Sequence, residues 1–274
     1  MRTRFAPSPT GPLHLGHAYS AILGHDLTRK SNGEFLVRIE DIDQDRARPE
    51  WEDLIYEDLA WLGLTWDQPV LRQSTNMAAY DAALDHLWNM GVLYPCVCNR
   101  RDIREAASAP QGGVNYGPDG IIYPGICRHE PMGIRPTNQS LRLNSECINV
   151  DFRFTEMMHT PGQQHFTADS FRHDVGDVVL QRRDMGTSYH LSVVVDDAAQ
   201  GITDVVRGND LFDATKIHVV LQTLLNLPTP TYHHHPLIND ESGKRLAKRD
   251  DARAIRLYRE EGKTPAEIRQ MIGL

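Results

Sequence analysis

The chain has 274 residues, of which 40% are hydrophobic and 24% are charged, and its mean hydropathy is −0.46. This composition is typical of a globular protein with a large core and two domains. No apolar run reaches the roughly 18 residues that a membrane helix needs, and residues 1–9 lack the apolar segment of a signal peptide. Four cysteines are too few for a disulfide scaffold. We therefore expect a cytoplasmic protein with no membrane partner.

The net charge of −8 taken alone argues against a nucleic-acid partner. The charge is unevenly distributed, however, because Ser242–Arg259 contains seven basic and two acidic residues, a net charge of +5. Such a block is either a solvated face or a surface that binds phosphate groups.

Predicted strands and helices alternate in the first third of the chain. In chain order we predict a strand over Thr3–Ala6, a Pro/Gly-rich loop over 7–12, a helix from Leu15 or Gly16, a strand over Glu34–Glu40, a helix from Pro49 and a helix spanning Met77–Trp88. Alternation of this kind favours an α/β fold with a Rossmann-like parallel sheet.

The alternation stops at Cys96 and resumes after an interruption. Residues 96–136 show no sustained period and look like an insertion. Beyond it we predict strands at Val178–Leu180, Leu191–Val195 and Val205–Val206, a helix spanning Leu211–Leu225, a linker at Pro228–Pro236 and a basic helical tail. This pattern predicts four parts: residues 1–94 and 161–230 as two halves of one catalytic domain, 95–160 as an insertion, and 231–274 as a loop with a helical tail.

Two histidines stand where the first predicted helix begins. His14-Leu15-Gly16-His17 follows a predicted strand and a rigid loop, which is a typical arrangement for binding phosphate. A helix start offers unpaired N–H groups and the positive end of the helix dipole. Two imidazoles three residues apart can add hydrogen bonds to a polyphosphate, and Gly16 leaves room for close approach. Taken by itself, the pair is equally compatible with coincidence.

Four motifs in the same order resemble those of the glutamyl-tRNA synthetases. Their HIGH motif corresponds to His14–His17, within the longer match Arg4–His17. The other matching segments are Arg38–Asp43, Tyr189 with Val193–Asp197 and Gly201–Asp210, and Arg245–Arg249 in the place of the KMSKS loop. The resemblance implies a class I synthetase catalytic domain.

The chain stops about 25 residues after the KMSKS-like segment, so we expect no anticodon-binding domain. Its insertion contains Cys96-x-Cys98 and Tyr123-x3-Cys127. In both respects the chain resembles a short branch of this family, the glutamyl-queuosine tRNA(Asp) synthetases. The resemblance implies that ATP, L-glutamate and tRNA(Asp) bearing queuosine are the partners, that Mg²⁺ accompanies ATP, and that the chain is a monomer. Two alternatives remain: a truncated glutamyl-tRNA synthetase that charges a 3′ end, and a non-catalytic zinc-containing RNA-binding module.

Glutamate presents two carboxylates and one ammonium, so its pocket needs cationic groups and an acid. A guanidinium binds a carboxylate through two hydrogen bonds. By the resemblance, the amino acid contacts these residues: Arg4, Phe5, Ala6, Pro7, Ser8, Glu40, Tyr189 and Arg207. Glu40 would bind the ammonium, and Ser8 and Tyr189 would donate neutral hydrogen bonds. The alternatives are a surface ion pair of Arg207 with Asp204 or Asp210, and a core position for Tyr189.

The resemblance assigns ATP binding and catalysis to residues from both ends of the chain. His14, Gly16 and His17 would contact the α-phosphate region, and Lys248 the pyrophosphate. The KMSKS match departs from the family pattern at two positions, Arg245 and Ala247, which replace a lysine and a serine. These departures leave open a weakened pyrophosphate clamp or a catalytically silent relative.

Three cysteines of the insertion suit a tetrahedral metal site. Cys96, Cys98 and Cys127 would supply thiolates to one structural zinc ion. The resemblance makes Tyr123 the fourth ligand, whereas His129 is the chemically commoner choice. Three buried free cysteines are the alternative to a metal site. Cys147 stands apart, and we expect a core thiol there.

Overall fold

Strands and helices alternate along most of the chain in the computed structural model, which describes residues 1–108, 113–128, 133–238 and 253–274. The first elements are β1 (Arg2–Phe5), α1 (Leu15–Lys30), β2 (Glu34–Ile39), α2 (Pro49–Trp61), β3 (Leu71–Arg72), α3 (Met77–Asn89), β4 (Leu93–Cys96), α4 (Arg100–Ala107), β5 (Tyr116–Gly117), β6 (Gly120–Ile121) and β7 (Ser140–Leu143). The remaining elements are β8 (Phe152–Glu156), β9 (Gly162–Phe166), α5 (Ala168–Asp174), β10 (Val179–Gln181), α6 (Tyr189–Ala199), β11 (Asp204–Gly208), α7 (Thr215–Leu224), β12 (Thr231–His235), α8 (Ile255–Glu260) and α9 (Pro265–Ile272).

Parallel strands from both halves of the chain form the centre of the fold. Strands β1, β2 and β3 pair in parallel in that order, and β11, β12 and β8 do the same, with β9 antiparallel at the edge. The two groups meet beside β1, where the Thr203 N–H donates to the Arg2 carbonyl over 3.0 Å. The predicted α/β fold with a parallel sheet is therefore confirmed.

Helix α1 lies across the junction of the two strand groups. A Cβ added at Gly24 would lie 3.5 Å from Phe35, 3.7 Å from Val206 and 3.8 Å from Thr3, so the helix approaches β2, β11 and β1 closely. From β1 the chain moves to β2, and from β11 it moves the other way, to β12. Ligands bind at such switch points, outside the carboxyl ends of parallel strands. The topology therefore directs attention to the ends of β1, β2 and β11.

The C-terminal helices belong to the core around α1. Buried side chains of α8 and α9 join the apolar cluster formed by α1, β2 and α2, and these are Ile255, Tyr258, Ile268 and Ile272. The Ile255 N–H also donates to the Leu13 carbonyl over 2.8 Å. No helix in the described ranges combines the length and the apolar character needed to cross a bilayer.

Two predicted elements of the second half are wrong. Leu191–Val195 lies inside helix α6, which begins after an N-cap at Ser188. Most of this helix is buried, so its sequence lacks the polar face that identifies a helix at the surface. Its consecutive apolar residues are therefore equally typical of a buried strand. The predicted linker at Pro228–Pro236 contains strand β12, whose three consecutive histidines disguise a buried parallel strand. The other strands and helices predicted before Pro228 are present, with ends that differ by a few residues.

Cys147 is not a core thiol. It ends a short 3-10 turn after β7 and is exposed.

Candidate active site

The two histidines at the start of α1 form the cap of that helix. His14 is the N-cap residue, and its Nδ1 accepts the Gly16 N–H over 3.1 Å. In return, the His14 N–H donates to His17 Nδ1 over 3.2 Å, and the two rings stack with centroids 3.7 Å apart. Because the cap uses both Nδ1 atoms, a ligand would have to bind these imidazoles through Nε2.

Gly16 packs closely against the ring of His14. A Cβ at this position would lie 3.1 Å from His14 Cε1 and 3.2 Å from His14 Nδ1. Contacts this short would require the His14 ring to shift by a few tenths of an ångström, so a larger residue at this position would press on the stacked pair. The open approach that the sequence suggests for Gly16 stays a prediction.

A buried ion-pair network joins the ends of β1 and β2. Asp197 Oδ1 accepts from Arg4 Nε over 2.9 Å and from Arg38 Nη1 over 2.7 Å, and Arg38 Nη2 lies 3.4 Å from Glu40 Oε1. The terminal nitrogens of Arg4 have no hydrogen-bond partner among the described residues. The network fixes the Arg4 guanidinium through one edge and leaves the other edge available to an anion.

Burial and the neighbouring arginines have opposite effects on the pKa values of the two acids in this network. Burial alone would raise the pKa of Asp197, but Arg4 and Arg38 more than offset it and lower the pKa. For Glu40, burial dominates and the pKa is raised, although Arg38 and Arg4 act in the opposite direction. A nearby cation would favour the ionised form of Glu40, which is 9% exposed. Glu40 therefore fits an ammonium ligand.

Tyr189 is the first residue of α6, and its partly buried ring packs against the main apolar core. The ring also lies 5.8 Å from that of His218, centroid to centroid. Burial raises the pKa of Tyr189, Arg207 and Arg4 oppose this shift, and Glu40 reinforces it. The packing of the ring agrees with a position at the edge of the core, and a role for Tyr189 in binding the amino acid stays a prediction.

Arg207 is buried at the end of β11 and is not a surface ion pair. It is 6% exposed, and Asp204 pairs instead with His233 over 2.9 Å. The Arg207 guanidinium donates to His234 Nε2 and to His218 Nδ1, each over 3.0 Å, and to Thr215 Oγ1 over 2.8 Å. No carboxylate of the described residues pairs with it.

The segment between β1 and α1 passes alongside these groups. The Pro7 carbonyl accepts the Glu40 N–H over 3.0 Å, which holds the loop at the end of β2. Phe5 packs into the apolar core, so only its backbone is available to a ligand. Ala6 and Ser8 are partly buried beside it.

Several residues of this pocket were not predicted. Arg38 and Asp197 belong to motifs from which the site was predicted, but the sequence does not indicate that they form ion pairs with each other. His218, Thr215 and Glu156 carry no motif at all. His234 belongs to the histidine triplet, yet the sequence does not indicate that it contacts Arg207.

Lys248, Arg245 and Ala247 lie outside the described residues. The next described segment nevertheless returns to the helix start, because Ala254 and His14 form an isolated antiparallel bridge. Five residues lie between Lys248 and Ala254, and an extended chain of six residue steps spans at most about 20 Å.

The four predicted metal ligands come together. The sulfurs of Cys96, Cys98 and Cys127 all lie within 4.8 Å of one another. The Tyr123 hydroxyl lies 3.5 Å from Cys96 Sγ and 3.3 Å from Cys98 Sγ. Ligand atoms around a tetrahedral zinc ion are about 3.8 Å apart, so the cluster has the size of a metal site. His129 lies outside the described residues.

The thiols of the cluster have unequal acidity. Burial raises the pKa of Cys98 to about 11. Burial also acts to raise the pKa of Cys127, but hydrogen bonds from Tyr123 and the Val97 backbone outweigh it and lower the pKa to about 7. The cluster therefore already favours one thiolate, which is the form that binds a metal.

Relatives of known type share the whole length of the chain. A family model described as tRNA synthetases class I (E and Q), catalytic domain, matches residues 1–274. A Rhodobacter capsulatus protein named glutamyl-Q tRNA(Asp) synthetase is 57% identical over 279 residues, which cover 100% of both chains. A Nocardia farcinica protein of the same name is 41% identical, over 97% of this chain and 81% of the relative.

Solved structures with the same fold are more distant in sequence. A glutamate tRNA ligase from Elizabethkingia meningosepticum, in complex with its amino acid, matches with a TM-score of 0.78 and 24% identity. The match covers 99% of this chain, which spans 60% of that ligase. A Mycobacterium tuberculosis methionyl-tRNA synthetase in complex with methionyl-adenylate matches with a TM-score of 0.60 and 11% identity, over 99% of this chain and 63% of that one. At these identities the likeness shows the fold alone.

Proposed function

Because the chain belongs to the class I tRNA synthetases (E and Q), and within them to the glutamyl-Q tRNA(Asp) synthetases, we propose that it activates glutamate with ATP and transfers it to queuosine of tRNA(Asp). It is an ATP-dependent ligase of the aminoacyl-tRNA synthetase type. The observation that supports the choice of amino acid is the placement of two buried arginines and an acid at the ends of neighbouring strands: Arg4 on β1, Arg207 on β11, and Glu40 directly after β2. The Tyr189 ring lies 5.8 Å from that of His218, which Arg207 contacts.

The pocket groups match the charges of a dicarboxylic amino acid. The free edge of Arg4 and the buried guanidinium of Arg207 would each bind a carboxylate, and Glu40 would bind the ammonium. Tyr189 and Ser8 would add neutral hydrogen bonds. An amino acid with one carboxylate would leave one buried arginine without its anion, which is costly.

Activation joins the amino acid to the nucleotide. A carboxylate oxygen of glutamate attacks the α-phosphorus of ATP, the bond from that phosphorus to the bridging oxygen breaks, and glutamyl-adenylate and pyrophosphate result. His14 and His17 would hydrogen-bond the α-phosphate through Nε2, and Lys248 would stabilise charge on the leaving pyrophosphate. Mg²⁺ bound with ATP would screen the phosphate charges. The protein contributes by positioning and by stabilising charge.

The second step defines the acceptor. The glutamyl group leaves AMP and forms a bond to queuosine, and the names of the relatives support this acceptor. The rival is a truncated synthetase that charges the 3′ end of tRNA. A non-catalytic RNA-binding role is disfavoured by the helix-cap histidines and by the carboxylate pocket.

An experiment with radiolabelled glutamate separates these acceptors. We expect labelling of tRNA(Asp) that carries queuosine, also after its 3′-terminal adenosine has been removed, and no labelling of queuosine-free tRNA(Asp). The control is an unmodified transcript with an intact 3′ end. Labelling that needs the 3′ adenosine and ignores queuosine would replace our proposal with 3′ charging.

We propose that Cys96, Cys98, Tyr123 and Cys127 hold one structural zinc ion. Three thiolates and a phenolate would give the bound site an excess of negative charge. Arg142 opposes this charge, because its Nε lies 3.3 Å from Cys96 Sγ and its guanidinium lies 4.0 Å above the Tyr123 ring. The ion would tie β4 to the following segment and take no part in the reaction.

The four-part division of the chain, a monomeric state and a cytoplasmic location also remain proposals. The division is supported by the two strand groups of the central sheet, with the antiparallel strands β4, β7 and β10 between them in sequence.

A further inference from the structure

Arg207 is a buried cation held almost entirely by neutral groups. Its guanidinium reaches two imidazoles, the Thr215 hydroxyl and, over 3.3 Å, the Leu211 carbonyl. A buried arginine is usually paired with an acid, because an uncompensated charge is costly in a poorly solvated place. Two acids do lie behind the imidazoles, one along each of two hydrogen-bonded arms.

The first arm runs through His234 to Glu156. Arg207 Nε can only donate, so His234 Nε2 must accept and carry no proton. The proton of His234 is then on Nδ1, which donates to Glu156 Oε2 over 2.6 Å. Glu156 Oε1 accepts three backbone N–H groups as well, so this carboxylate is fixed and cannot move to the arginine.

The second arm runs through two histidines to Asp119. Arg207 Nη1 donates to His218 Nδ1, so the His218 proton is on Nε2 and donates to His190 Nδ1 over 3.1 Å. The His190 proton is then on Nε2, which lies 3.4 Å from Asp119 Oδ1. Each tautomer follows from the donor-only character of the guanidinium.

We propose that His218 and His234 are positioning residues that hold Arg207 with neutral acceptors and keep the two carboxylates at a distance, so that the guanidinium retains its charge for a carboxylate of the amino acid substrate. This inference rests on the proposed function. A carboxylate in direct contact would fix Arg207 equally well, but it would compete with the substrate for the same positive charge.

Burial and neighbouring charge both keep these imidazoles neutral. Burial lowers the pKa of His218 well below its usual range, and Arg207 lowers it further. Burial and Arg207 also lower the pKa of His234 to about 4, although Glu156 acts in the opposite direction. Both imidazoles therefore stay acceptors toward Arg207 at neutral pH.

The test compares two variants of the same size, His218→Asn and His218→Asp. The side-chain oxygen of either residue can replace Nδ1 as an acceptor, but only aspartate brings a negative charge. In glutamate-dependent exchange of pyrophosphate into ATP, we expect the KM for glutamate to be about ten- to a hundredfold higher in H218D than in H218N. The KM for ATP should be the same in both.

The exposed His165 on β9 supplies the control, since H165D makes the same change in charge far from the arginine and should leave both constants unchanged. Equal KM values for glutamate in folded H218N and H218D would overturn the inference while leaving the proposed function intact.

A second measurement does not depend on activity or on a variant. Nitrogen NMR of the histidine-labelled protein at pH 7 should show neutral rings, with the proton on Nδ1 of His234 and on Nε2 of His218. A charged ring or the opposite tautomer at either residue would also overturn the inference. If the unmodified protein shows no glutamate-dependent exchange, the proposed function fails, and the NMR result still decides whether the two arms exist.

Discussion

The imidazoles of His14 and His17 are placed by the helix that they begin. Each Nδ1 closes one hydrogen bond of the capping box, and this fixes both rings before any ligand arrives. Such preorganisation is how a protein stabilises charge in a transition state without reorganising during the reaction. The same two side chains therefore serve stability and the proposed chemistry.

Substitutions of His17 and Lys248 test the proposed role of these residues in binding the phosphates. We expect H17A and K248A each to lower the rate of glutamate-dependent pyrophosphate exchange about a hundredfold or more, because each removes a donor to the phosphates. Loss of the cap acceptor in H17A should cost about 1 kcal/mol of stability, so the fold survives. The measurements are exchange kinetics and thermal unfolding.

A matched control for this prediction is H25A, which truncates another histidine of α1 that faces Asp26 and Phe35. Its exchange rate should equal that of the unmodified protein. Unchanged rates in both H17A and K248A would contradict the assignment of these residues to the nucleotide.

The contact between α2 and α8 contains a buried carboxylate in an unfavourable place. Asp58 is 0% exposed, and among the described residues neither of its carboxylate oxygens has a hydrogen-bond partner. Arg259 of α8 lies close to it, with 3.7 Å between Arg259 Nη1 and Asp58 Oδ1. Burial raises the pKa of Asp58 from 3.8 to about 6 despite this arginine.

The raised pKa makes stability depend on pH. Because the folded state binds the proton more tightly, the contribution of Asp58 is most favourable below pH 4 and is lost as the pH rises through about 6. We expect D58N to have a higher free energy of unfolding than the unmodified protein at pH 7.5. This gain should be about 1 to 3 kcal/mol larger at pH 7.5 than at pH 4. Thermal unfolding of both proteins across this pH range tests the prediction, and a difference in Tm that does not change with pH would contradict it.

The cysteine lobe, residues 95–108 and 113–128, contacts the part of the fold that surrounds Arg207. Asp119 of the turn between β5 and β6 lies 3.4 Å from His190, at the end of one arm behind Arg207. The lobe is also fixed to the turn before β10, because Arg128 Nη2 pairs with Asp177 Oδ2 over 3.0 Å. A metal bound by the lobe would therefore help to order the proposed glutamate pocket.

Removal of the metal tests this connection. We expect one zinc ion per chain in the purified protein, and its loss to a chelator should lower the Tm and raise the KM for glutamate about fivefold while leaving the KM for ATP unchanged. Adding zinc back provides the control and should restore both values. A protein that contains no zinc, or equal changes in the two KM values, would contradict the prediction.

Much of the fold could be predicted from the sequence because the first third of the chain combines local signals that agree. A proline-rich loop, alternating apolar periods and the His14–His17 motif all indicate the same strand, loop and helix. The predictions failed at α6 and β12, where burial removes the polar alternation from which an element is recognised. The alternation of apolar and polar residues reflects which side of an element is exposed to water, and these two elements are mostly buried.

The alternating α/β order, the motif residues and their family can be recognised from residues that lie close together in the chain. The groups around Arg207 cannot, because His190, His218, His234 and Glu156 come from four different elements whose meeting depends on strand order. Hydrogen bonds between such distant residues leave no spacing in the chain, so only the packed sheet and its helices show which side chains hold the arginine.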